Sequence, residues 1–208
     1  RDYHGMASIS DGQVLLFGGN TGLPDIANDE TWIYNVDGWR KKTTTSAPSA
    51  RYRHAVAYAG ADQVVLFGGY DETDELLDTW AYDLSANTWT LKFVGIPSAR
   101  SRHAMAHLGG DKVGLFGGQD GTDRYSDTWV YDLGANGWAE QPPTPSSRSA
   151  HALASLGEGQ ALLFGGYDGV YGRDDTWAYD LGTNTWTNQV PVAVQALGEP
   201  SRLWTGSF

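Results

Sequence analysis

The phrase DTWAYDLSANTW, residues 78–89, decides how this chain folds because the chain repeats it. It returns as DTWVYDLGANGW at 127–138 and DTWAYDLGTNTW at 175–186, and a shorter form, ETWIYNVDGW, stands at 30–39. A histidine, a pair of glycines and the second tryptophan of the phrase all recur at the same intervals of 48 to 50 residues. The series are His4, His54, His103 and His151; Gly18-Gly19, Gly68-Gly69, Gly117-Gly118 and Gly165-Gly166; and Trp39, Trp89, Trp138 and Trp186. Three markers that keep one spacing identify a repeat protein.

Each repeat contains a pattern of four short strands. In the second repeat the first strand follows PSARYRH (48–54), and the second is the apolar run VVLFGG (64–69), which we expect to be covered on both faces. The aromatic phrase supplies the third strand, and a short turn leads to a fourth strand with the second tryptophan. Four-stranded antiparallel units of about 50 residues that stack around an axis form a β-propeller. We therefore predict one all-β domain over 1–208, with repeats at about 1–47, 48–96, 97–145 and 146–199 and an extra strand at 200–208.

The combination of R-x-x-H, a glycine pair, W-x-Y-D and a second tryptophan resembles the kelch repeat, and the resemblance covers the whole chain four times over. The first repeat departs from the pattern, since Asn35 replaces the motif aspartate and its two tryptophans are seven rather than nine residues apart. The final PSRLWTGSF (200–208) resembles the start of another first strand, with Thr205 in the histidine position. Because kelch propellers usually have more than four blades, the resemblance implies a section of a larger propeller, with the remainder of that propeller or a larger assembly as a partner.

Composition limits the classes of function. The chain has 208 residues, a formal net charge of −11 and no cysteine. The acidic balance argues against nucleic acid or an anionic membrane as a partner, and the lack of cysteine excludes disulfides and a cysteine nucleophile. No apolar run reaches the ~18 residues of a membrane-spanning helix, and no signal-like segment follows Arg1. The compartment stays open, with the cytoplasm slightly favoured.

Arginines concentrate where first strands begin, at one end of the predicted axis. Seven of the ten stand there: Arg1, Arg51, Arg53, Arg100, Arg102, Arg148 and Arg202. Five of the seven recur from repeat to repeat, and the simplest interpretation pairs them with the motif aspartates of neighbouring blades, Asp78, Asp127 and Asp175. These five are predicted to serve the blade.

The other two arginines, Arg53 and Arg102, do not recur, because Tyr3 and Ala150 occupy their position in the other repeats. A position that varies between equivalent repeats is free to serve a ligand. We therefore predict that Arg53, Arg102 and Tyr3 contact a partner.

The loops between second and third strands are predicted to open at the same end. They begin with four different residues, Asn20, Tyr70, Gln119 and Tyr167, and Arg124 and Tyr171 lie further along two of them. Binding residues concentrate on the loops of rigid scaffolds, and aromatic and arginine side chains are the usual anchors of interfaces. In kelch proteins, by resemblance, the shallow bowl at this end binds peptide segments. The resemblance thus implies a non-enzymatic interaction or scaffold module for a peptide with acidic and with basic or polar positions.

Enzymatic interpretations rest on fewer residues. The apolar surroundings of the motif histidines favour a structural role over a ring of metal ligands, and the loop aspartates lack the spacing of a calcium loop. Galactose oxidase-like chemistry needs a cysteine, and the iron motif Glu-x-x-x-Asp-x-x-x-His of plant specifier proteins does not occur here. A carbohydrate-active or sugar-acid isomerase or mutarotase that uses the same bowl stays open as the alternative. We predict no catalytic residue, no metal and no cofactor.

Overall fold

The computed structural model describes residues 1–22 and 24–190, and the strands in that part of the chain form four antiparallel sheets. The first sheet contains β1 (Gly5–Ser8), β2 (Val14–Phe17), β3 (Thr31–Asn35) and β4 (Gly38–Lys42), and the second contains β5 (Ala55–Tyr58), β6 (Gln63–Phe67), β7 (Asp78–Asp83) and β8 (Thr88–Val94). The third contains β9 (Ala104–His107), β10 (Lys112–Phe116), β11 (Thr128–Asp132) and β12 (Gly137–Gln141), and the fourth contains β13 (Ala152–Gly157), β14 (Gln160–Tyr167), β15 (Gly172–Asp180) and β16 (Thr185–Asn188). The described residues include one short 3-10 turn, Ser10–Gly12, and no helix long and apolar enough to cross a membrane.

Each sheet is a meander, in which strands adjacent in the chain are adjacent in the sheet. The first strands of successive sheets contact one another, β1 with β5, β5 with β9 and β9 with β13. First strands that line a common axis, with sheets stacked face to face around it, are the architecture of a β-propeller. The prediction of an all-β propeller of four-stranded blades is therefore confirmed, and we number the blades 1 to 4 in chain order.

Apolar side chains from facing blades form the cores. We call the face of a blade that meets the next blade its leading face, and the opposite face its trailing face. The leading face of blade 1 consists of Ala7, Ile9, Leu15, Phe17 and Ile33, and the trailing face of blade 2 consists of Val56, Val64, Leu66, Tyr82 and Trp89, all buried. Equivalent clusters join blade 2 to blade 3 and blade 3 to blade 4. Strand alternation sends every second residue to the same face, so one strand serves two junctions.

The repeated tryptophans of blades 2 to 4 form a hydrogen bond and an aromatic contact with the preceding blade. The indole N–H of Trp89 donates to the hydroxyl of Thr31 at 2.9 Å, and the other two junctions repeat this bond at the same distance, from Trp138 to Thr79 and from Trp186 to Thr128. Each indole also packs against a phenylalanine of the preceding blade, with ring centres 5.1–5.3 Å apart. Edge-to-face aromatic pairs contribute about 0.5–1.5 kcal/mol beyond their buried area. The aromatic phrase is structural.

The shortened phrase of blade 1 keeps the same ladder. Trp39 pairs with Tyr34 across β3 and β4, as Trp89 pairs with Tyr82 across β7 and β8. The two missing residues are therefore lost from the turn, and Trp39 keeps its place on the trailing face.

Within residues 1–22 and 24–190, the first and last blades each leave one face uncovered. On the trailing face of blade 1, Trp39 is 44% exposed, whereas the equivalent Trp89 is 1% exposed. On the leading face of blade 4, Phe164 is 55% exposed, whereas the equivalent Phe67 is fully buried. The two ends of the row of blades are thus not packed against each other. That the chain is a section of a larger propeller stays a prediction, and the predicted extra strand at 200–208 lies outside the described residues.

Candidate functional site

One arginine per repeat ties the start of a blade to its own sheet. Arg51 is fully buried and donates from Nη1 and Nη2 to the two carboxylate oxygens of Asp78 at 2.6 and 2.9 Å, and from Nη1 to the carbonyl of Gly68 at 3.0 Å. The same fork joins Arg100 to Asp127 and Arg148 to Asp175. The interpretation that these pairs bridge neighbouring blades is wrong. Both members belong to one repeat, because the segment before each first strand crosses the end of its own second strand and the start of its third.

The backbone at this arginine does bridge two blades. The N–H of Gly19 donates to the carbonyl of Arg51 at 2.9 Å, and the N–H of Arg51 donates to the carbonyl of Asn28 at 3.1 Å. A Cβ at Gly18, which has a φ of +62°, would lie 2.7 Å from the Arg51 carbonyl oxygen. Only glycine fits this close approach, which explains the repeated glycine pair.

Two residues after each of these arginines the chain reaches the opening of the central cavity. Tyr3, Arg53, Arg102 and Ala150 occupy this position, and their φ angles of 51 to 59° are all left-handed. Backbone hydrogen bonds of 2.8–2.9 Å link them in order, from Arg53 to Tyr3, from Arg102 to Arg53 and from Ala150 to Arg102. Left-handed backbone is costly for residues other than glycine, and it persists where the surrounding bonds hold it. We call these four residues the axial ring.

The axial ring covers a cavity of about 300 Å³ whose remaining walls are the four motif histidines. His54, His103 and His151 are at most 8% exposed, and their ring nitrogens have no hydrogen bond of normal geometry to any described residue. Burial, with the charge of the nearby arginine, lowers the pKa of His54 to about 3 and that of His151 to about 4, and the adjacent backbone offsets only part of this shift. The same causes hold the pKa of His103 well below its usual range. These imidazoles are neutral at pH 7.

Positive charge at the opening is not neutralised by the described part of the chain. Arg53, Arg102 and Arg124 form no ion pair with any described carboxylate, and the Nε atom of each is buried without a hydrogen-bond partner. Burial first, and then the charges of Arg53 and Arg124, lower the pKa of Arg102. The three guanidiniums thus hold like charges close together at this opening.

Aromatic rings hold two of these guanidiniums in place. Arg53 lies over the rings of Tyr3 and Tyr52, at 4.9 and 5.0 Å from their centres, and Arg124 lies 4.9 Å from the centre of the Tyr167 ring. Such stacking contributes about 0.5–1 kcal/mol at an exposed site without cancelling the charge. The guanidiniums are thus positioned but still available.

The loops that follow the second strands lie at the same end as the axial ring. Tyr52, which precedes the ring residue Arg53, exchanges two backbone hydrogen bonds of 3.0 and 2.8 Å with Tyr70, the first residue of its loop. Equivalent bridges join Asp2 to Asn20, Ser101 to Gln119 and Ser149 to Tyr167. The structure therefore brings the non-recurring arginines and the variable loops to one face, which we call the loop face.

Three of the predicted contact residues present their rings to solvent there. Tyr3 is 52% exposed, Tyr167 is 41% exposed and Tyr171 is 71% exposed. Two of these rings stack with an arginine, Tyr3 with Arg53 and Tyr167 with Arg124.

The side chains of the other predicted loop residues form hydrogen bonds within the protein. The side chain of Asn20 is 5% exposed, accepts hydrogen bonds from the N–H groups of Gly22 and Ile26 and donates to Asp25, so it shapes its own loop. Gln119 accepts a hydrogen bond of 2.9 Å from the Ser149 hydroxyl. Tyr70 donates to a backbone carbonyl of its loop at 3.1 Å. The Asn20 side chain is therefore mostly engaged within its own loop, and the residue lines a second concavity.

A second concavity beside the cavity was not foreseen from the sequence. It measures about 650 Å³ and shares Tyr3 and Arg53 with the central cavity. Its lining includes the acidic residues Asp2 and Asp25 and also Arg1, whose guanidinium pairs with Glu30. Tyr52 donates to Asp25 at 3.2 Å, and burial together with this carboxylate raises the pKa of Tyr52. The loop from Asn20 to Ala27 is two residues longer than the equivalent loops from Tyr70 to Glu75 and from Gln119 to Arg124, and that difference in length was the available signal in the sequence. We call this concavity the acidic groove.

The loop aspartates organise turns. Asp71 accepts from the N–H groups of Thr73 and Asp74, and Asp120 accepts from two backbone N–H groups and the Tyr125 hydroxyl. Across 1–22 and 24–190, no group of three or more histidine and acidic side chains is arranged to hold a metal ion.

Comparison with known proteins places this geometry in a family. A family model described as the KLHDC2/KLHL20/DRC7 Kelch-repeats domain matches residues 1–203. Among curated proteins, Adagio protein 3 of Arabidopsis thaliana is 32% identical and Adagio-like protein 3 of Oryza sativa subsp. japonica is 29% identical, each over 83 residues. These matches cover 37% of this chain and 13% of each relative, so the chain corresponds to a small part of their length. Because the family match spans nearly every residue, the chain belongs to the Kelch-repeats domain family.

Proposed function

We propose that this chain is a non-enzymatic interaction module that binds a peptide segment of another protein on the loop face, with an Asp or Glu side chain of the peptide held at Arg53 and Arg102. The observation that carries the proposal is the set of guanidiniums at the axial ring without a carboxylate partner among the described residues. Membership of the Kelch-repeat family supports a protein as the partner, since such domains generally serve protein–protein interaction.

A carboxylate is the group that this opening fits best. The guanidinium fork matches the two oxygens of a carboxylate, and each charge-assisted hydrogen bond contributes about 1.5–3 kcal/mol. The neutral histidines beneath the ring add no competing charge, and their unpartnered nitrogens provide further polar contacts. A cavity of about 300 Å³ is at the small end of ligand pockets, which favours one inserted side chain over a large ligand.

The acidic groove sets the chemistry of a neighbouring peptide position. Asp2 and Asp25 line it, and it adjoins the central cavity at Tyr3 and Arg53. A peptide that places an acid at the ring would therefore place a basic or polar residue in the groove, where opposite charges meet and like charges are excluded.

The test is a peptide-display selection against the immobilised chain, followed by fluorescence anisotropy with the enriched sequence. We expect an acidic residue to be enriched, and its change to the matching amide to weaken binding by at least tenfold. Replacing Arg53 and Arg102 by alanine together should abolish binding, whereas Arg40→Ala, at an exposed arginine of β4, should not alter it. An unchanged affinity of the double variant for the selected peptide would refute the proposal.

A sugar-acid isomerase or mutarotase is the alternative use of the same cavity, because its arginines would also hold the carboxylate of a sugar acid. None of the described residues that line the cavity is an Asp or Glu, and the histidines have pKa values too low for an efficient base at pH 7. We therefore expect the chain to leave the rate of anomer exchange of a sugar acid unchanged in NMR measurements.

A further inference from the structure

Three of the loops that follow second strands are closed by a backbone bridge between their first and last residues. The bridges join Asn20 to Ala27, Tyr70 to Glu75 and Gln119 to Arg124. We call the second residue of each bridge the closing residue. One closing residue is apolar, one is acidic and one is basic, so this position changes its charge between equivalent loops. A position that varies in this way is free to serve a ligand.

The closing residues of blades 2 and 3 each lie against a glycine in the loop of the next blade. A Cβ at Gly121 would lie 3.8 Å from both carboxylate oxygens of Glu75. A Cβ at Gly169 would lie 2.9 Å from the Nη1 atom of Arg124. The two glycines are equivalent, since each follows an aspartate that organises its turn. The same place between two loops thus holds a carboxylate at one junction and a guanidinium at the next.

The Arg124 guanidinium is held in place but not neutralised. It lies 4.9 Å from the centre of the Tyr167 ring, and the Tyr167 hydroxyl donates to the carbonyl of Gly169 at 2.8 Å. The ring and the glycine turn therefore form two fixed walls beside the guanidinium. Arg124 has no ion pair with a described carboxylate, and its Nε atom is buried without a partner among these residues. By contrast, the structural Arg100 donates from all three of its side-chain nitrogens.

Arg124 also lies close to the axial ring. Ser101, which precedes the ring residue Arg102, exchanges two backbone hydrogen bonds of 2.8 and 2.9 Å with Gln119. Gln119 in turn bridges to Arg124, so the three backbone segments run side by side. Neighbouring extended segments are about 4.8 Å apart, which puts the backbones of Ser101 and Arg124 roughly 10 Å apart. An extended peptide covers that distance in about three residues.

We propose that Arg124 forms a second subsite on the loop face, which binds another Asp or Glu side chain of the same peptide. The inference rests on the proposed function, because the acid held at Arg53 and Arg102 brings the peptide to this loop. The second acid enters beside the Tyr167 ring and the Gly169 turn and receives the N–H groups of the Arg124 guanidinium. A basic side chain is rejected there, because like charges would meet. The charge of the closing residue thus decides which peptide residue its loop accepts.

The test is fluorescence anisotropy with the peptide enriched by display against the immobilised chain. We expect a second acidic position within about four residues of the first, and its change to the matching amide should weaken binding about tenfold. Arg124→Glu gives blade 3 the closing residue that blade 2 already accommodates at Glu75. This variant should bind the peptide with lysine at the second position about tenfold more tightly than the peptide with the acid.

Two further variants complete the comparison. Arg124→Gln removes the charge with a smaller change of shape, and it should bind the second acid and its amide equally. Arg40→Glu is the matched control, since it changes the net charge by the same amount as Arg124→Glu at an exposed position of β4. It should leave both the affinity and the preference for the second acid unchanged.

The outcomes separate this subsite from the proposed function. Loss of the peptide by the double alanine variant of Arg53 and Arg102, with the wild-type preference retained in Arg124→Glu and Arg124→Gln, would overturn the Arg124 subsite alone. Binding that survives the double alanine variant would refute the proposed function. The exchange of acid for lysine in Arg124→Glu would still decide on the second subsite by itself.

Discussion

Lowering the pH should destabilise this protein well before its carboxylates are protonated, because of the histidines around the central cavity. The pKa of His54 is about 3 and that of His151 about 4 in the folded chain, and that of His103 is also strongly lowered. In the unfolded chain a histidine titrates near 6.5. As the pH falls below that value, the histidines of the unfolded chain bind protons, whereas those of the folded chain stay neutral. The free energy of unfolding is therefore at its maximum above about pH 7 and decreases from there towards pH 3 to 4.

The magnitude follows from the number of protons. Well below pH 6.5, each buried neutral histidine lowers the free energy of unfolding by about 1.4 kcal/mol per pH unit. At pH 6 the histidines of the unfolded chain are still partly neutral. Between pH 6 and pH 5, three of them together therefore lower the free energy of unfolding by about 3–4 kcal/mol. A typical domain has only about 5–15 kcal/mol in total. The aspartates contribute at lower pH, since the pKa of Asp175, for example, is lowered to about 2 by its bond to Arg148.

Urea unfolding followed by tryptophan fluorescence at pH 5 to 8 measures this slope. The variant His103→Gln removes one titrating group, so its slope between pH 6 and pH 5 should fall by about a third, whatever the substitution costs at pH 8. His107→Gln is the control, because His107 lies outside the cavity and contacts the Gly110 carbonyl and the Tyr58 ring. A flat stability profile between pH 6 and pH 5, or an equal slope in wild type and His103→Gln, would refute the reasoning.

Three further predictions concern the blades and the axial ring. Arg100→Met should lower the free energy of unfolding by about 3–5 kcal/mol, because it leaves Asp127 without its buried partner, and urea titration measures the loss. Thr79→Val should cost about 1–3 kcal/mol by removing the acceptor of the buried Trp138 indole; an unchanged free energy of unfolding would contradict the account of the junctions. Arg102→Met should raise the free energy of unfolding of the free chain by about 0.5–1 kcal/mol, since it relieves repulsion from Arg53 and Arg124, while it weakens binding of an acidic peptide.

The fold was predictable because the chain repeats one pattern of four strands four times. Spacing alone assigned the strands, and even the irregular first repeat followed the rule, since Trp39 keeps its ladder position opposite Tyr34. The partner of the recurring arginine was not predictable in the same way. Arg51 and Asp78 have equivalents at the same separation in the third and fourth repeats, so a pair within a repeat and a pair between repeats would give the same sequence pattern. Only the path of the segment before β5 decides between them.

The sequence predicted at which end of the propeller the non-recurring arginines and the variable loops lie together. Because the first two strands of a blade are antiparallel neighbours, the start of the first strand lies beside the end of the second. The backbone bridge from Tyr52 to Tyr70 shows this adjacency. The use of each loop residue depends on the turn that its loop adopts, which no periodicity encodes. Asn20 is the example: its side chain satisfies two N–H groups of a loop found only in blade 1 and is therefore buried.

The loop face contains many carboxylates close to the arginines of the axial ring, and the turns of its loops bind several of these carboxylates in place. Asp71, Asp120 and Asp168 each accept backbone N–H groups of their own loops, and Asp168 also pairs with Arg173. The hydrogen bond from the Tyr125 hydroxyl, with those from backbone N–H groups, lowers the pKa of Asp120, and backbone N–H groups lower that of Asp168. These bonds fix the carboxylate oxygens within the turns. A carboxylate committed in this way gains less from moving to Arg53 or Arg102, since it would leave its N–H donors unpaired. The arginines of the axial ring thus have no ion pair with the described carboxylates, although acidic residues surround them.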